Sequence, residues 1–500
     1  MQPRTVPPSM HRLDRLLAHP LLALAVLCLA QIVVWTLAPA LVHQAPPLDM
    51  VEGYLWGREW PIATYKHPAL PAWVLEASRV VTGAVGWPGY LVSQLFIAAT
   101  FGCVFALGRD LMGERRALAG TLLLTGVYYF SWPGPEFNHN IAQMPLWAGL
   151  ILSLWRAGQA KHPGCWALVG AFGAACLYAK LSGGVLLVVA ALWILLDESS
   201  RRQLASIGPW LGLAVFAALI APLMIWLVQT DFQPLHYAAD RSSSSRGYGA
   251  LKFLGMEAAI HAALFVLAAA GGLFGGRLAP QSEPGTALPA VEPRALRFLL
   301  VFGLAPGLVT MAAAVLSGNL LRGMWGAPMF SLSGLIVVAL TTARFRPATL
   351  RRIALGAGVL LLLVPALYIG VVLRGEYRKA PNRGMWPQRE ISRRLEADWE
   401  RATGQPLRIV AGDAWVGGLV ALTARHRPSL LTDGNLELAP WISAARLKAQ
   451  GALLVWDPAR IPAPLRKQIE NCAHQEEQFT WPRPTDAGPI RIGYCVIPPG

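Results

Sequence analysis

What the 500-residue chain has least of is charge, and acidic charge above all. Only 14% of its residues are charged, where soluble domains carry about 25%, and 28 Asp and Glu stand against 43 Lys and Arg. With 54% hydrophobic residues, this excludes an ordinary soluble protein and points to a polytopic membrane protein. No P-loop or G-x-G-x-x-G fingerprint occurs, so nothing in the sequence asks for a nucleotide. H-E-x-x-H and C-x-x-C spacings are absent, as is any motif around a nucleophilic Ser or Cys. Cysteine is scarce. Cys28, Cys103, Cys165 and Cys176 fall in apolar runs and read as packing residues, whereas Cys472 and Cys495 lie in a polar tail and can pair if that tail is in an oxidising compartment. No basic run is interleaved with aromatics. The net charge of +15 therefore reads as Arg-rich loops on anionic lipid, and nucleic acid is not an expected partner.

What the chain does have is long apolar runs. Residues 1–20 are basic (Arg4, Arg12, Arg15), and Leu21 to Val42 is an uncharged run long enough to span, too long for the core of a cleaved signal peptide. Further spans are expected near 88–107, 116–132, 140–156, 164–178, 182–196, 209–229, 253–275, 297–316, 324–342 and 352–374, about eleven in all. One set of loops holds Arg109, Arg115, Arg116, Arg156, Lys161, Arg201, Arg202, Arg277, Arg294, Arg344, Arg346, Arg351 and Arg352, whereas the opposite set holds only Lys180 and Arg322. That asymmetry predicts a cytoplasmic N-terminus, with the first loop (43–86) and the tail (375–500) outside. The assignment depends on a break at Lys180, because one long helix over 164–196 would invert everything downstream. Residues 277–295 read as a flexible linker and Ser242 to Ser245 as part of an outward loop. In the tail, strand-like runs at Arg408 to Ala411, Ala452 to Trp456 and Ile490 to Ile497, with helical patterns near 414–425 and 439–449, predict a small α/β domain.

The first loop carries the candidate chemistry. Asp49 and Glu52 share a face if the chain is helical there, and a partly desolvated carboxylate at the interface suits a general base for an acceptor hydroxyl. Asp49 following Pro46-Pro47 also suits a helix cap, and the two roles are compatible. Lys66, His67, Lys180 and Arg322 are cations at outward membrane ends, suited to a lipid-linked phosphate or, alternatively, to snorkelling. Lys180 interrupts an apolar stretch, followed after Leu181 by Ser182-Gly183-Gly184, where a headgroup can approach the backbone. Asn138 is a candidate cap and His139 a candidate sugar or phosphate contact, with a satisfied interface histidine as the alternative. Asp231, His236 and Tyr237 are weaker candidates of the same kind.

Taken together, the long first loop with Asp49, the segment Tyr65-Lys66-His67-Pro68-Ala69-Leu70-Pro71-Ala72-Trp73, and many helices followed by an outward domain resemble the C-type membrane glycosyltransferases of family 39. That family includes the protein O-mannosyltransferases and the bacterial transferases that add aminoarabinose to lipid A, the membrane anchor of lipopolysaccharide. The resemblance covers residues 10–375. Members usually carry adjacent Asp-Glu and a Lys-Pro-Pro or His-Pro-Pro motif, whereas here Met50 follows Asp49 and the later motif reads Lys66-His67-Pro68-Ala69. The resemblance implies a mainly helical transmembrane fold and sugar transfer from a polyprenyl-phosphate donor to a lipid, glycan or protein acceptor. It implies that Asp49 is the catalytic carboxylate, that Lys66, His67, Lys180 and Arg322 hold the donor phosphate, and that His139 lines the cavity. The expected location is the periplasmic face of a bacterial inner membrane. The resemblance fixes no cofactor, and a divalent cation is compatible with the chemistry. Two other classes stay open, a secondary transporter and a non-catalytic envelope scaffold. Neither a two-half repeat nor mid-span polar residues favour the transporter.

Overall fold

A computed structural model describes residues 12–159, 163–243, 248–275, 290–374 and 381–500. Lys161, Arg277, Ser244, Ser245, most of the expected linker and the first residues of the expected tail lie outside them. Among the described residues, five helices are long and apolar enough to cross a membrane: Pro20–Val42, Trp87–Met112, Ile207–Gln229, Pro293–Ser317 and Pro347–Leu373. Three bent pairs raise the number to eight if each is one span: Gly183–Leu196 with Glu198–Ala205, Ala250–Ile260 with Ala262–Ala270, and Gly323–Met329 with Ser333–Leu340. The expected span at 116–132 is a ten-residue helix, Glu114–Leu123, followed by two short 3-10 turns. Leu29, Leu37, Leu41, Val228 and Leu362 point outward and exposed along the long helices, the surface that hydrocarbon would cover.

The apolar pattern does break at Lys180. Gly164–Ala179 ends there, Lys180 is extended (φ −168°, ψ 138°), and Gly183–Leu196 begins three residues later. Ion pairs tie together loops from the Arg-rich set: Arg156 with Asp110, Arg294 with Asp197, and Arg351 with Asp14.

The soluble domain is a five-stranded sheet in the order β2-β1-β3-β5-β4. β1 (Ile409–Gly412) runs parallel to β2 (Ser429–Thr432) and to β3 (Ala452–Trp456); β5 (Ile490–Ile497) is antiparallel to β3 and to β4 (Gln475–Phe479). A disulfide joins Cys472 to Cys495. The helix Val416–Thr423, between β1 and β2, packs on the first-loop helix Leu48–Arg58. A Cβ on Gly418 would come within 2.7 Å of Val51, so glycine sets that spacing.

Glu76, on the first-loop helix Leu70–Thr82, fastens the two parts. Its buried carboxylate accepts from both Arg427 Nη atoms at 2.8 and 2.9 Å and from Arg79 at 2.8 Å. Burial alone would raise Glu76, but the hydrogen bonds from Arg427 and Arg79 hold its carboxyl below the usual carboxylate range. A depressed carboxyl stabilises fully above its unfolded value, and the contribution is lost as pH falls through the folded one. Glu76→Ala is expected to weaken docking by roughly 3 kcal/mol, leaving Arg427 unpaired. Limited proteolysis of the soluble domain across pH checks it: the wild type should converge on the variant only in acid.

Candidate active site

Pro47, in extended backbone, serves as the N-cap residue of Leu48–Arg58. Asp49 is therefore not the cap that the sequence suggests. The proline supplies the non-helical geometry, and Asp49 falls inside the first turn, where the positive end of the helix favours an anion. One turn on, Glu52 shares its face. Both line a cavity of about 1270 Å³ that also takes in Lys66, His67, Lys180 and loops of the soluble domain.

Lys66 Nζ is in direct contact with Glu52 Oε1. It also lies over the rings of Trp56, Tyr65 and Tyr237 at 5.5–5.8 Å. Burial pulls the ammonium down, and Glu52 more than compensates, so Lys66 is held above its ordinary value. Burial pushes Glu52 up against the pull of Lys66. The aromatic faces around Lys66 decide for the charged pair, because they reward only the cation.

Asp49 is placed differently. Its carboxylate takes a hydrogen bond from Asn138 and feels Lys66, Lys180 and Arg383 at longer range. Burial outweighs all of these and raises its proton affinity above the usual carboxylate range. Its amide donates to Glu136 Oε1 at 3.4 Å. Burial and the neighbouring Asp49 charge push the Glu136 carboxyl above the usual carboxylate range.

Lys180 is anchored from across the cavity. Its Nζ donates to Asn140 Oδ1 at 2.8 Å and lies 5.3 Å from the Trp325 ring, while Gln143 Nε2 donates to its carbonyl at 3.3 Å. Asn138 caps the helix His139–Ala157, accepting from the amides of Asn140 and Ile141. His139 packs its ring on His67, centroids 4.0 Å apart, and its buried Nε2 has no hydrogen-bond partner among the described residues. Arg322 sits at the rim, donating to the Arg241 carbonyl at 3.0 Å. Tyr237 lines the cavity. Asp231 and His236 do not: their side chains are 98% and 70% exposed and lie 3.7 Å from each other. Asp231 lies in the turn before the helix Gln233–Ser243, and His236 lies on that helix beside Tyr237 in sequence but turned to the exterior.

Sequence reasoning gives no role to several lining residues: Glu136, Arg383, Asp413, Trp415 and Asp433. Glu136 had a usable signal, as the one carboxylate in the outward loop before Asn138. The others in the tail had none, because they reach the cavity only through the docking of the soluble domain. Deeper in, the Tyr129 hydroxyl lies 2.5 Å from both Glu257 Oε1 and the Gly323 carbonyl, linking two of the bent pairs behind the site. Among the described residues no group of three or more His, Cys, Asp or Glu could hold a metal ion.

The structure of ArnT from Cupriavidus metallidurans bound to undecaprenyl phosphate matches this chain with a TM-score of 0.61, at 14% identity, over 94% of this chain and 97% of that one. The fold is that of the C-type glycosyltransferases. The apo form of the same ArnT matches with a TM-score of 0.54 over the same shares, also at 14% identity. Arabinofuranosyltransferase AftD from Mycobacteria matches at 0.50 and 15% identity, over 95% of this chain and 40% of its own. Residues 66–226 match the family model described as dolichyl-phosphate-mannose-protein mannosyltransferase. That segment takes in Lys66, His67, Asn138, His139 and Lys180, and leaves Asp49, Glu52 and Arg322 outside. No curated protein matches the sequence. With this C-type fold and its apolar helices, the chain is a multi-pass membrane protein.

Proposed function

We propose that the protein transfers a sugar from a polyprenyl-phosphate donor to an acceptor hydroxyl at the periplasmic face of a bacterial inner membrane. The observation that carries this reading is one cavity holding Asp49 beside two lysines from distant segments, Lys66 and Lys180. In the reaction, the acceptor oxygen attacks the anomeric carbon. The bond from that carbon to the phosphate oxygen breaks, and its electron pair leaves with the lipid phosphate. Asp49 takes the hydroxyl proton, and Lys180 with Lys66 offsets the charge on the departing phosphate. Glu52 holds Lys66 in place, and His67, His139, Asn138 and Arg322 shape the walls around the headgroup. The lipid phosphate is itself the leaving group, so the chemistry needs no nucleotide.

On this reading the N-terminus is cytoplasmic, residues 21–374 form the transmembrane transferase with about eleven crossings, and residues 375–500 form the periplasmic domain. The Arg-rich loops supply the support for that orientation. The ArnT structure holds undecaprenyl phosphate in the same fold, which supports a lipid of that class as donor carrier here. The test is reconstitution in proteoliposomes with undecaprenyl phosphate carrying a radiolabelled sugar. Label should move to an added hydroxyl acceptor only where the soluble domain and the acceptor share a side. Uptake of a solute with no transfer would reject the reading.

A further inference from the structure

Behind the cavity wall lies a polar contact that the transfer chemistry does not use. Tyr129, 1% exposed, sits in the 3-10 turn Tyr128–Phe130, and its hydroxyl is 2.5 Å from both Glu257 Oε1 and the Gly323 carbonyl. Three oxygens therefore meet at a hydroxyl that carries a single hydrogen. The Gly323 carbonyl can only accept. An ionised Glu257 can only accept as well, which would leave two acceptors competing for one hydrogen. Both contacts are hydrogen bonds only if the Glu257 carboxyl keeps its proton. It then donates to the tyrosine oxygen, and the tyrosine donates to Gly323.

The surroundings agree. Glu257 is 4% exposed on Ala250–Ile260, one half of a bent pair of membrane-crossing length. Among the described residues no Lys or Arg pairs with it, and its Oε2 has no hydrogen-bond partner. An ionised carboxylate so placed is costly, and a neutral acid costs far less. The carboxyl also packs on Gly326, where a Cβ would come within 2.2 Å of Oε1. What the pair holds is a turn of the cavity wall. Gly323 opens the turn Gly323–Trp325, in which the Trp325 amide donates to the Arg322 carbonyl at 3.0 Å. Arg322 and Trp325 both line the cavity, and the Trp325 ring lies 5.3 Å from Lys180 Nζ.

We propose that Tyr129 and Glu257 are positioning residues for the donor phosphate: Glu257, as a neutral carboxylic acid, donates to Tyr129, and Tyr129 donates to the Gly323 carbonyl, fixing the turn that sets Trp325 and Arg322 beside Lys180. The role rests on the transferase reading, because the phosphate is what Lys180 is there to hold.

The experiment measures binding of bare undecaprenyl phosphate to the full-length protein in detergent. Tyr129→Phe should weaken affinity about tenfold, the size of one lost hydrogen bond with a buried carbonyl left unmet. Glu257→Leu, which removes the donor to Tyr129, should weaken it by a smaller factor. Glu257→Gln should bind within about twofold of the wild type, because its amide N–H replaces the acid proton. A role in folding alone would lower the number of binding-competent molecules and leave the affinity of the rest unchanged. An infrared difference spectrum, wild type minus Glu257→Gln at neutral pH, should show the C=O stretch of a protonated carboxyl. Carboxylate bands in its place, or a loss in Glu257→Gln as large as that in Tyr129→Phe, overturn the proposal and leave the transferase reading standing. Failure of the wild type to bind the lipid overturns that reading, and the positioning role with it.

Discussion

Asp49→Asn should lower kcat roughly 100-fold to 10,000-fold, the range for loss of a positioned general base. The asparagine keeps the size of the side chain and can still meet Asn138, so the loss reports proton transfer and not collapse of the site. kcat and kcat/KM should fall together, the pattern of an interaction made in the transition state. The pH profile adds a sign. A base works deprotonated, so the rate rises with pH through the folded value of Asp49. Burial lifts that value above the ordinary 3.8, against the pull of Lys66 and Lys180. The acid limb of kcat/KM should therefore lie above that of an ordinary carboxylate and disappear in the variant. The same variant of Glu52 should behave otherwise. Glu52 is committed to Lys66, so Glu52→Gln should act through donor affinity and leave the acid limb in place.

Lys180→Ala should cost about 100-fold to 1,000-fold in kcat/KM for the donor, the size of losing one preorganised group aimed at developing charge. Lys180 gives a cleaner experiment than Lys66. Removing Lys66 strands the Glu52 carboxylate and disturbs three aromatic contacts, so part of its effect is structural. Lys180 is held by neutral partners, Asn140 and the Trp325 ring, which tolerate its loss. Lys180→Arg should recover part of the rate, since the charge returns with a different reach. Steady-state kinetics on the donor, at saturating acceptor, separates the two outcomes. A fall confined to the acceptor's KM would assign Lys180 elsewhere.

The parts of this site legible in the sequence are those that local rules govern. An acid just past the first apolar run, a lysine interrupting another, and Asn-His-Asn at a helix start stand out because the surrounding chain is so poor in charge. The break at Lys180 was readable for the same reason. The helix starts two residues before the position that an Asp49 cap predicts, because Pro47 supplies the non-helical backbone of the cap. In the tail, β1, β3 and β5 are apolar runs and were found. β4 reads Gln-Glu-Glu-Gln-Phe, an exposed edge strand whose polar face hides its period. β2 reads Ser-Leu-Leu-Thr, with only two apolar residues between polar ends, too little to mark a strand. The helix Gln388–Thr403 went unread as well, although Ile391, Leu395 and Trp399 recur at four-residue spacing on its buried face. The apolar pattern runs on through the bends near His261 and between Met329 and Ser333, so it does not mark them. Asp413 and Asp433 illustrate the limit best. Each is an unremarkable acid after a short strand until the docked domain brings it over Asp49.

The claim that all of this serves is that a lipid phosphate sits beside Asp49. The most direct measurement is a structure of the full-length protein with undecaprenyl phosphate bound. The phosphate should lie between Lys66 and Lys180, within hydrogen-bonding distance of at least one of their amines, with its isoprenoid chain leaving between the helices. A phosphate bound among the Arg-rich loops around Arg156 and Arg294, with the cavity beside Asp49 empty, would contradict the account.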